Sequence, residues 1–580
     1  MHFCTKIIKK TQMKKFTNST ILLVAMIIIS LAACTKTPSP EPTPIPPKIS
    51  GIALSGSNKA FKAVINFSEG VYKNADKTGA LDKNSFSVTM AGGKASLSGY
   101  SVNHLPGATS AEVSLTLNDY PDGKETLTVK PSNSSSIYNA KGVAMTASES
   151  KETKITGTTS KVITIKDNGQ GIGTQTWTAN NTYLLDGFCF VNSGQTLTIE
   201  PGTIIKGKPG QGANASALIV ARGGKIMAEG TKEKPIIFTA ESDNLNGSIG
   251  DLDDGLWGGV IILGKAGLNT QPSEQQIEGI PQTEPRGIYG GNDDADNSGS
   301  LKYISIRHGG TDIGAGNEIN GLTLGGVASG TVIDYIEVIA NKDDGIEFFG
   351  GTPRVKHFVS VFNGDDSYDY DQGFRGFGQF WLAVQGFGRG DRLGEHDGGT
   401  TPETGRPLAT PTIYNVTYVG QGDAAGKRTI TFRDNAGGTY ANSIFYNQHH
   451  GIDIEYLSSE CSWTRFQNGD LNIKNNVFYQ ISDTMPLFVK AYSGVTQAQI
   501  THANDSLRNY FAVQGNRVVN PGLSITNNKW NIVPSAYVTD KLATYPTSSW
   551  FDKVTYRGAI DPANNWVKGW TLFAKKYMAK

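Results

Sequence analysis

The chain has 580 residues, and its 53 basic and 52 acidic side chains nearly balance, so it offers no basic block for nucleic acid. Only Cys189 and Cys461 lie beyond residue 34, which excludes a disulfide scaffold and leaves open either one disulfide or two buried thiols. The 69 glycines, the modest charge and the frequent Thr, Val and Ile favour an all-β protein.

Residues 1–33 are typical of a bacterial export signal. Lys14 and Lys15 precede the apolar run 21–32, and the run ends at Leu-Ala-Ala-Cys34, which resembles a lipobox. We therefore expect Cys34 to be lipidated and to become the first mature residue. The lipid would attach the protein to the bacterial outer membrane, and exposure at the cell surface is one of the two orientations left open. A plain transmembrane anchor is the alternative, but the run is short for a spanning helix.

Residues 34–47 form a Pro-rich tether, which we expect to be extended. From 48 to 156 short alternating runs are broken by turn residues, a spacing that predicts a β-sandwich. The runs Asn66–Val71 and Pro121–Val129 make this segment similar to bacterial Ig-like domains, which implies a spacer.

Residues 161–580 carry short strands in irregular repeats of about 20–30 residues, each ending at Gly or Asn, and this pattern predicts a parallel β-helix. We expect Lys161–Trp177 to cap its N-terminal end and the aromatic residues from Trp550 to Phe573 to cap its C-terminal end.

Long runs in this region resemble a family of right-handed parallel β-helix envelope proteins of Gram-negative bacteria, many of them lipoproteins. The resemblance rests on Leu197–Gly207, Ala217–Thr231, Tyr289–Gly299 and Tyr556–Pro562. It implies the fold and the compartment, but no activity. The predicted fold class is therefore all-β, with an Ig-like β-sandwich followed by a right-handed parallel β-helix.

Three segments in the β-helix can be superimposed, starting at Asn341, Asn363 and Asn447. The first two starts are 22 residues apart, about one coil. Equivalent residues of neighbouring coils lie about 4.8 Å apart, so the alignment stacks acids on acids. The stacked pairs are Asp343 with Asp365, Asp344 with Asp366, and Glu347 with Asp369; His449, His450 and Asp453 follow in the same columns, beyond one coil that contains Val416–Val419 and Asp423.

Carboxylates at this spacing repel each other, and three interpretations remain open. The first is a bound hard cation such as Ca²⁺, held by the oxygen ligands Asp365, Asp366, Asp369, Asp371 and Glu347. The second is a catalytic carboxyl pair that shares protons. The third is a set of solvated turns in which Asp and Asn bind their own backbone.

The catalytic interpretation has a precedent, since polygalacturonase-like and pectate-lyase-like enzymes use this fold. A hydrolase of that kind would use Asp343, Asp344, Asp365 and Asp366 with His449 or His450. A lyase would need Ca²⁺ and a base such as Arg375 or Arg433. The Gly-His-Gly run usual in such hydrolases is missing here.

Two further groups are candidate ligand residues. Asp294, Asp296 and Ser298 resemble the first half of an EF-hand loop and are a second candidate Ca²⁺ site. Phe377, Phe380 and Trp381, with Arg375, form an aromatic run that can stack on a sugar, although core packing is the commoner use of such residues.

The sequence thus favours a lipid-anchored, monomeric envelope protein with a Ca²⁺-stabilised β-helix that binds a polysaccharide or another surface component without catalysis. The alternative is a β-helix polysaccharide lyase or glycoside hydrolase acting from the same stacked columns. A purely structural, adhesin-like role is a third hypothesis.

Overall fold

The computed structural model describes residues 43–314, 317–535 and 541–579. The export signal, Cys34 and most of the tether lie outside these residues. Within them, no helix has the length and apolar character needed to span a bilayer. Cys189 and Cys461 are both buried and free, so the two-thiol alternative describes this structure.

Residues 49–154 form antiparallel sheets around one apolar core, because inward residues alternate along each strand, as Phe61, Ala63, Ile65 and Phe67 do. The Ig-like assignment itself stays a prediction. One sheet has the order Ile49–Ser57, Ala60–Phe67, Ser110–Leu117, Leu97–Asn103, and the other Phe86–Ala91, Thr126–Pro131, Lys151–Lys154; Val71–Tyr72 pairs with Tyr138–Asn139, and Lys83–Ser85 is a 3₁₀ turn.

From residue 162 the chain is a right-handed parallel β-helix, which confirms the predicted fold class. Its larger sheet has eighteen strands among the described residues. In order these are Val162–Ile165, Gln175–Trp177, Thr182–Leu185, Thr196–Ile199, Ile204–Gly207, Lys225–Glu229, Ile236–Ala240, Gly299–Arg307, Val332–Ile339, Arg354–Val361, Phe377–Val384, Thr412–Tyr414, Thr417–Gly422, Gly438–Ala441, Ile444–Gln448, Leu471–Lys474, Val477–Ile481 and Arg517–Val518.

A second parallel sheet faces the first across the core, and its ten strands carry the acidic columns. They are Phe188–Val191, Ala217–Val220, Val260–Leu263, Leu322–Gly325, Ile346–Phe349, Tyr368–Asp371, Gly394–Asp397, Arg428–Arg433, His450–Tyr456 and Leu487–Ala491. Smaller elements complete the coils: hairpins Glu274–Gln276 with Ile288–Gly290, Asp312–Gly314 with Asn317–Glu318 and Ser524–Thr526 with Lys529–Asn531; 3₁₀ turns Gly212–Asn214, Pro285–Gly287 and Asp423–Ala425; helices Ser462–Gln467, Gln497–Val513 and Leu572–Lys576.

The larger sheet bends at one corner where successive coils place residues in the left-handed conformation. Tyr303, Tyr335, His357 and Phe380 occupy this column with φ of 50°, 56°, 49° and 60°. Their rings stack at centroid distances of 4.3, 4.2 and 4.9 Å, and this packing opposes the backbone strain. In later coils the corner passes to asparagine, which tolerates this conformation: Asn415, Asn442 and Asn475.

The C-terminal segment covers the outside of this corner, which corrects the predicted aromatic end cap. Trp566 and Trp570 pack edge-on against the ring column instead of closing the core. The last coil is covered by the helix Gln497–Val513, which inserts apolar side chains into the main core: Ala503, Leu507 and Phe511. A helix serves here because its amphipathic face buries the apolar edge that a parallel array leaves exposed.

One buried carboxylate holds the C-terminal segment in place. Glu337 is 0% exposed and accepts hydrogen bonds from the N–H groups of Leu572 and Phe573, both at 2.9 Å, and from Ser305 Oγ at 2.5 Å. Its two oxygens therefore fix the start of the helix Leu572–Lys576 against the larger sheet.

We expect Glu337→Gln to lower the free energy of unfolding by about 1–3 kcal/mol, because the amide places a donor against backbone N–H donors. Urea unfolding measures this loss, and trypsin should cleave at Lys568 or Lys575 faster than in the wild type. Glu152→Gln, at an exposed position in the N-terminal sheets, is the control. Equal cleavage rates in both variants would contradict the anchoring role.

Candidate functional site

Acidic residues line two successive coils of the ten-stranded sheet. The register sets three pairs side by side: Glu347 with Asp369 within the strands, and, in the residues that precede them, Asp344 with Asp366 and Asp343 with Asp365. The Asp366 N–H donates to Asp344 Oδ1 at 2.8 Å, which fixes the step between the coils. The Asp344 and Asp366 side chains are buried, whereas Asp343 is half-buried and Asp365 is exposed.

The next coil introduces positive charge. Glu395 follows Asp369 in the strand register. Arg392 pairs with Asp366 at 3.5 Å and with Asp391 and Glu395 at 2.8 Å each. Uncompensated negative charge is therefore concentrated in the two earlier coils.

The two histidines lie farther from the acids than the sequence predicted. Two coils separate them from Asp365 and Asp366, built on Gly394–Asp397 and Arg428–Arg433, where one coil was expected. The predicted spacer Val416–Val419 contributes its strand to the larger sheet instead. Each histidine has its own carboxylate partner: His449 Nδ1 lies 2.6 Å from Asp423 and His450 Nδ1 lies 3.0 Å from Asp483. Neither therefore belongs to the acidic cluster.

Three overlapping groups of carboxylates have oxygens within 4.8 Å of one another. Asp344 and Asp365 each belong to two of them, so the groups form one continuous cluster. The groups are Asp343, Asp344 and Asp365; Asp344, Glu347 and Asp369; and Asp365, Asp366 and Asp391. Asp371 stands outside them, since its oxygens accept from the Gln372 N–H and Thr400 Oγ1, both at 2.5 Å.

Burial and mutual repulsion favour the protonated form of these acids. The pKa of Asp343 rises to about 7, first through burial and then through the charges of Glu278, Asp365 and Glu318. Burial, reinforced by neighbouring carboxylates, also raises the pKa of Asp344, Glu347, Asp366 and Asp369 well above its usual range. The cluster therefore retains protons near neutral pH or holds a cation in their place.

The group Asp344, Glu347 and Asp369 is the inner group of the cluster. Two oxygens at this inner group have no hydrogen-bond partner among the described residues. Asn320 is 2% exposed and donates to Glu347 Oε2 at 2.6 Å, while its Oδ1 is unpaired. Asp369 Oδ1 is likewise buried and unpaired. Unpaired buried oxygens are costly, and a proton or a cation between them removes the cost.

An open groove of about 700 Å³ lies at the ends of the strands Ile346–Phe349 and Tyr368–Asp371. Its lining includes Phe349, Gln372 and Tyr289 but none of the clustered acids. Glu278, on the hairpin loop 277–287, forms one wall, and its charge raises the pKa of Asp343 and Glu347. Glu278 therefore links the groove to the acidic cluster through its charge.

The predicted EF-hand-like loop makes other contacts. Asp294 accepts from both Arg375 Nη2 and the Gly267 N–H at 3.0 Å, and Asp296 accepts from the Lys265 N–H at 3.2 Å. Ser298 is 2% exposed, and its N–H donates to Thr331 Oγ1 at 2.9 Å. These oxygens hold the loop and a guanidinium, so they do not converge on a common point.

The predicted aromatic platform is wrong because its rings are covered. Trp381 is 1% exposed and stacks between Phe348 and Tyr368 inside the coil. Phe380 belongs to the corner column, and Phe377 packs on Phe551 of the C-terminal segment at 5.0 Å between centroids. Arg375 is engaged by Asp294.

Sequence reasoning missed several residues that complete the cluster. Glu278 comes from a loop with no counterpart in the repeat, whereas Asn320 occupies the position of Asp344 one coil earlier, and Arg392 lies in a coil that lacks the Asn-x-Asp-Asp pattern. The signal for this coil was Glu395-His396-Asp397, in which the two acids share the outer face and His396 between them points into the core, as alternate residues of the other strands do.

Comparisons with known proteins bear on the fold. The family model described as "Pectate-lyase like beta helix domain" matches residues 132–571. No curated protein matches the chain. Two solved catalytic-domain structures of a GH87 alpha-1,3-glucanase, both Asp-to-Ala variants in complex with tetrasaccharides, are 11% and 9% identical. Each comparison covers 79% of this chain and 97% of the other, with TM-scores of 0.18 and 0.16, too low to bear on activity.

The raised pKa values predict a loss of stability with rising pH. An acid with a raised pKa in the folded state stabilises the fold below its ordinary pKa near 3.8, and this contribution is lost as pH rises through about 7 for Asp343. We therefore expect Tm to fall between pH 5 and pH 8, and Asp343→Asn to reduce that fall. Scanning calorimetry measures both, with Asp505→Asn on the helix Gln497–Val513 as control; identical slopes would contradict the prediction.

Proposed function

This chain belongs to the pectate-lyase-like β-helix family, and we propose that it is a glycoside hydrolase that cleaves a polysaccharide bound along its acidic face. The observation that carries the proposal is one pair of carboxyl groups. Asp343, half-buried with a pKa of about 7, has an oxygen within 4.8 Å of one from the exposed Asp365.

These two carboxyl groups suit different steps of hydrolysis. An acid with a pKa near 7 holds its proton at neutral pH and can donate it to a leaving-group oxygen, so Asp343 is the general acid. Asp365 is the more exposed of the two; burial and the charge of Asp391 raise its pKa, and Arg392 and Lys427 oppose that rise. Because of its exposure, Asp365 is the partner that approaches the sugar ring, and we assign it the role of nucleophile.

The short separation favours a double displacement. Retaining enzymes place their two carboxyl groups about 5–5.5 Å apart, whereas inverting enzymes leave about 6.5–9.5 Å for a water molecule. The oxygens of Asp343 and Asp365 lie within 4.8 Å. The pair therefore favours a product that retains the anomeric configuration.

The charge of the cluster favours an uncharged substrate. A polyanionic chain beside Glu278, Asp343 and Asp365 would be repelled unless cations intervened. A neutral polysaccharide meets no such penalty, and its hydroxyl groups can donate to carboxylates.

Lyase chemistry has less support, because it needs an uncharged base. Asp397 binds Arg433 through two hydrogen bonds of 2.5 and 2.9 Å and raises its pKa. Arg375 is paired with Asp294 at 3.0 Å. Both candidate bases are therefore already held in ion pairs with carboxylates.

We expect the mature chain to release reducing ends from at least one member of a panel of neutral polysaccharides. Asp343→Asn and Asp365→Asn should each reduce the rate by about 10²–10⁴-fold, the usual contribution of positioned acid–base groups. A reducing-sugar assay measures the rate, and proton NMR of the first product reports its anomeric configuration.

Asp505→Asn, exposed on a distant helix, is the matched control and should retain full activity. Binding of a polysaccharide without release of reducing ends would favour the non-enzymatic role. Activity that survives Asp343→Asn would reject the residue assignment.

A cation at the inner group is a second proposal, favoured by the unpaired oxygens. Asp344, Glu347 and Asp369, with Asn320 Oδ1, offer an all-oxygen set that suits Ca²⁺. Such an ion would relieve the repulsion in the cluster. It does not require the pair Asp343 and Asp365, so hydrolysis and cation binding can be tested separately.

We expect Ca²⁺ to raise Tm and EDTA to lower it. At 100 times the dissociation constant the gain is about 2.7 kcal/mol in the free energy of unfolding. Differential scanning fluorimetry measures Tm, and Asp369→Asn should abolish the Ca²⁺ response while Asp505→Asn keeps it. An unchanged Tm in the wild type would remove the cation from the proposal.

The lipobox-like run ending at Cys34 supports attachment to the outer membrane through a lipid, with the tether and the N-terminal sheets as spacers. Cys34 lies outside the described residues, and this placement rests on the sequence alone.

A further inference from the structure

A second cavity, of about 270 Å³, lies at the end of the strand Gly299–Arg307. It is enclosed by the loop 243–251, by the end of the strand Gly299–Arg307 and by the helix Leu572–Lys576. Its lining includes Asp243, Asn246, Asp251, Arg307, His308 and Lys576.

Arg307 is the unusual member of this lining. Its side chain is buried, with 6% of the residue exposed, and Nε donates to Ser305 Oγ at 2.8 Å. Among the described residues, neither Nη1 nor Nη2 has a hydrogen-bond acceptor, and no carboxylate lies within ion-pair distance. A buried guanidinium with four unused N–H donors is costly unless a ligand or water accepts from them.

The neighbouring carboxylates are already engaged. Glu337 accepts from two backbone N–H groups and Ser305 Oγ. Asp243 accepts from Thr239 Oγ1 and from the Leu245 N–H, both at 2.7 Å. Asp251 binds Lys576 and the Tyr577 hydroxyl. Arg307 therefore keeps its donors for the cavity.

His308 adds an acceptor. It is 3% exposed, and its Nδ1 lies 2.6 Å from the Asp253 carbonyl oxygen, which can only accept. Nδ1 therefore carries the hydrogen, and burial lowers the pKa of the ring, so it is neutral. The remaining nitrogen, Nε2, has a free lone pair for a hydroxyl group.

We propose that this cavity binds a small, singly charged carboxylate that also carries hydroxyl groups, with Arg307 forming a two-pronged contact to the carboxylate. The planar guanidinium matches the two oxygens of a carboxylate. The three carboxylates Asp243, Asp251 and Glu337 outnumber the two cations Arg307 and Lys576 by one. The surroundings therefore oppose a doubly charged anion most strongly, and the direct guanidinium contact must outweigh one excess negative charge to hold a single carboxylate. Hydroxyl groups complement His308 Nε2 and the aspartates.

The test is isothermal titration of the mature chain with D-glucuronate, against D-glucose, which lacks the carboxylate, and inorganic phosphate, which lacks the carbon-bound hydroxyls. We expect glucuronate to bind at least tenfold more tightly than either. Arg307→Lys keeps the charge but loses the planar fork, and should weaken glucuronate binding at least tenfold. Arg354→Lys, on a nearby strand, is the matched control and should bind as the wild type does.

Asn246→Trp narrows the cavity from its exposed side without touching the core, and should also abolish binding. If Arg307→Lys does not fold, the Asn246→Trp variant tests whether glucuronate binds in this cavity. Equal binding of glucuronate and glucose, phosphate binding as tight as glucuronate, or a folded Arg307→Lys with unchanged affinity would each overturn the proposal.

Discussion

Every side chain in the β-helix lies beside its equivalent in the next coil, about 4.8 Å away, and the remainder of the structure follows from that constraint. Apolar residues benefit, because each coil buries its inward face on its neighbours. Ionisable residues are destabilised, because an acid that recurs in successive coils is repelled by its equivalent in the next coil. Asp344 and Asp366 reduce the cost by accepting backbone N–H groups from the following coil.

One column along the second sheet carries acids in three successive coils and then a lysine. Asp343 and Asp365 lead the two acidic coils, and continuing the register places Asp391, Lys427 and His449 in the following ones. Lys427 and Asp391 pair at 2.8 Å, which marks the edge of the acidic region. A site of unusual protonation is thus confined to two coils by ordinary ion pairs beside it.

The repeat explains what the sequence could and could not predict. The coil length and the stacking of Asp343 on Asp365 are visible because Asn341 and Asn363 mark the same turn, and Asn363 Oδ1 accepts from the Asn341 N–H. Glu278 was missed because it occurs on an inserted loop, and Arg392 because its coil, although in register with Asp366, carries no Asn-x-Asp-Asp pattern.

The prediction of an aromatic platform was wrong for a related reason. Phe380 takes the left-handed conformation at the corner and breaks the alternation along the strand Phe377–Val384, so Trp381 points into the core while Phe377 packs on the outside. The cover over Phe377 and Phe380 comes from a segment more than 150 residues later, on which the repeat gives no information.

The contact between Glu337 and the helix Leu572–Lys576 joins residues 235 positions apart in a fold whose other contacts are mostly between neighbouring coils. A linear array tends to fray from its ends, since each coil is supported only by the next. The C-terminal segment instead packs on the outside of the coils from Tyr303 to Phe380 and contacts each of them. Those coils must all be folded before the C-terminal segment can dock on them. Once it has docked, we expect the same coils to unfold as one unit. The middle of the β-helix, which carries the acidic columns, is thereby the part least free to open on its own.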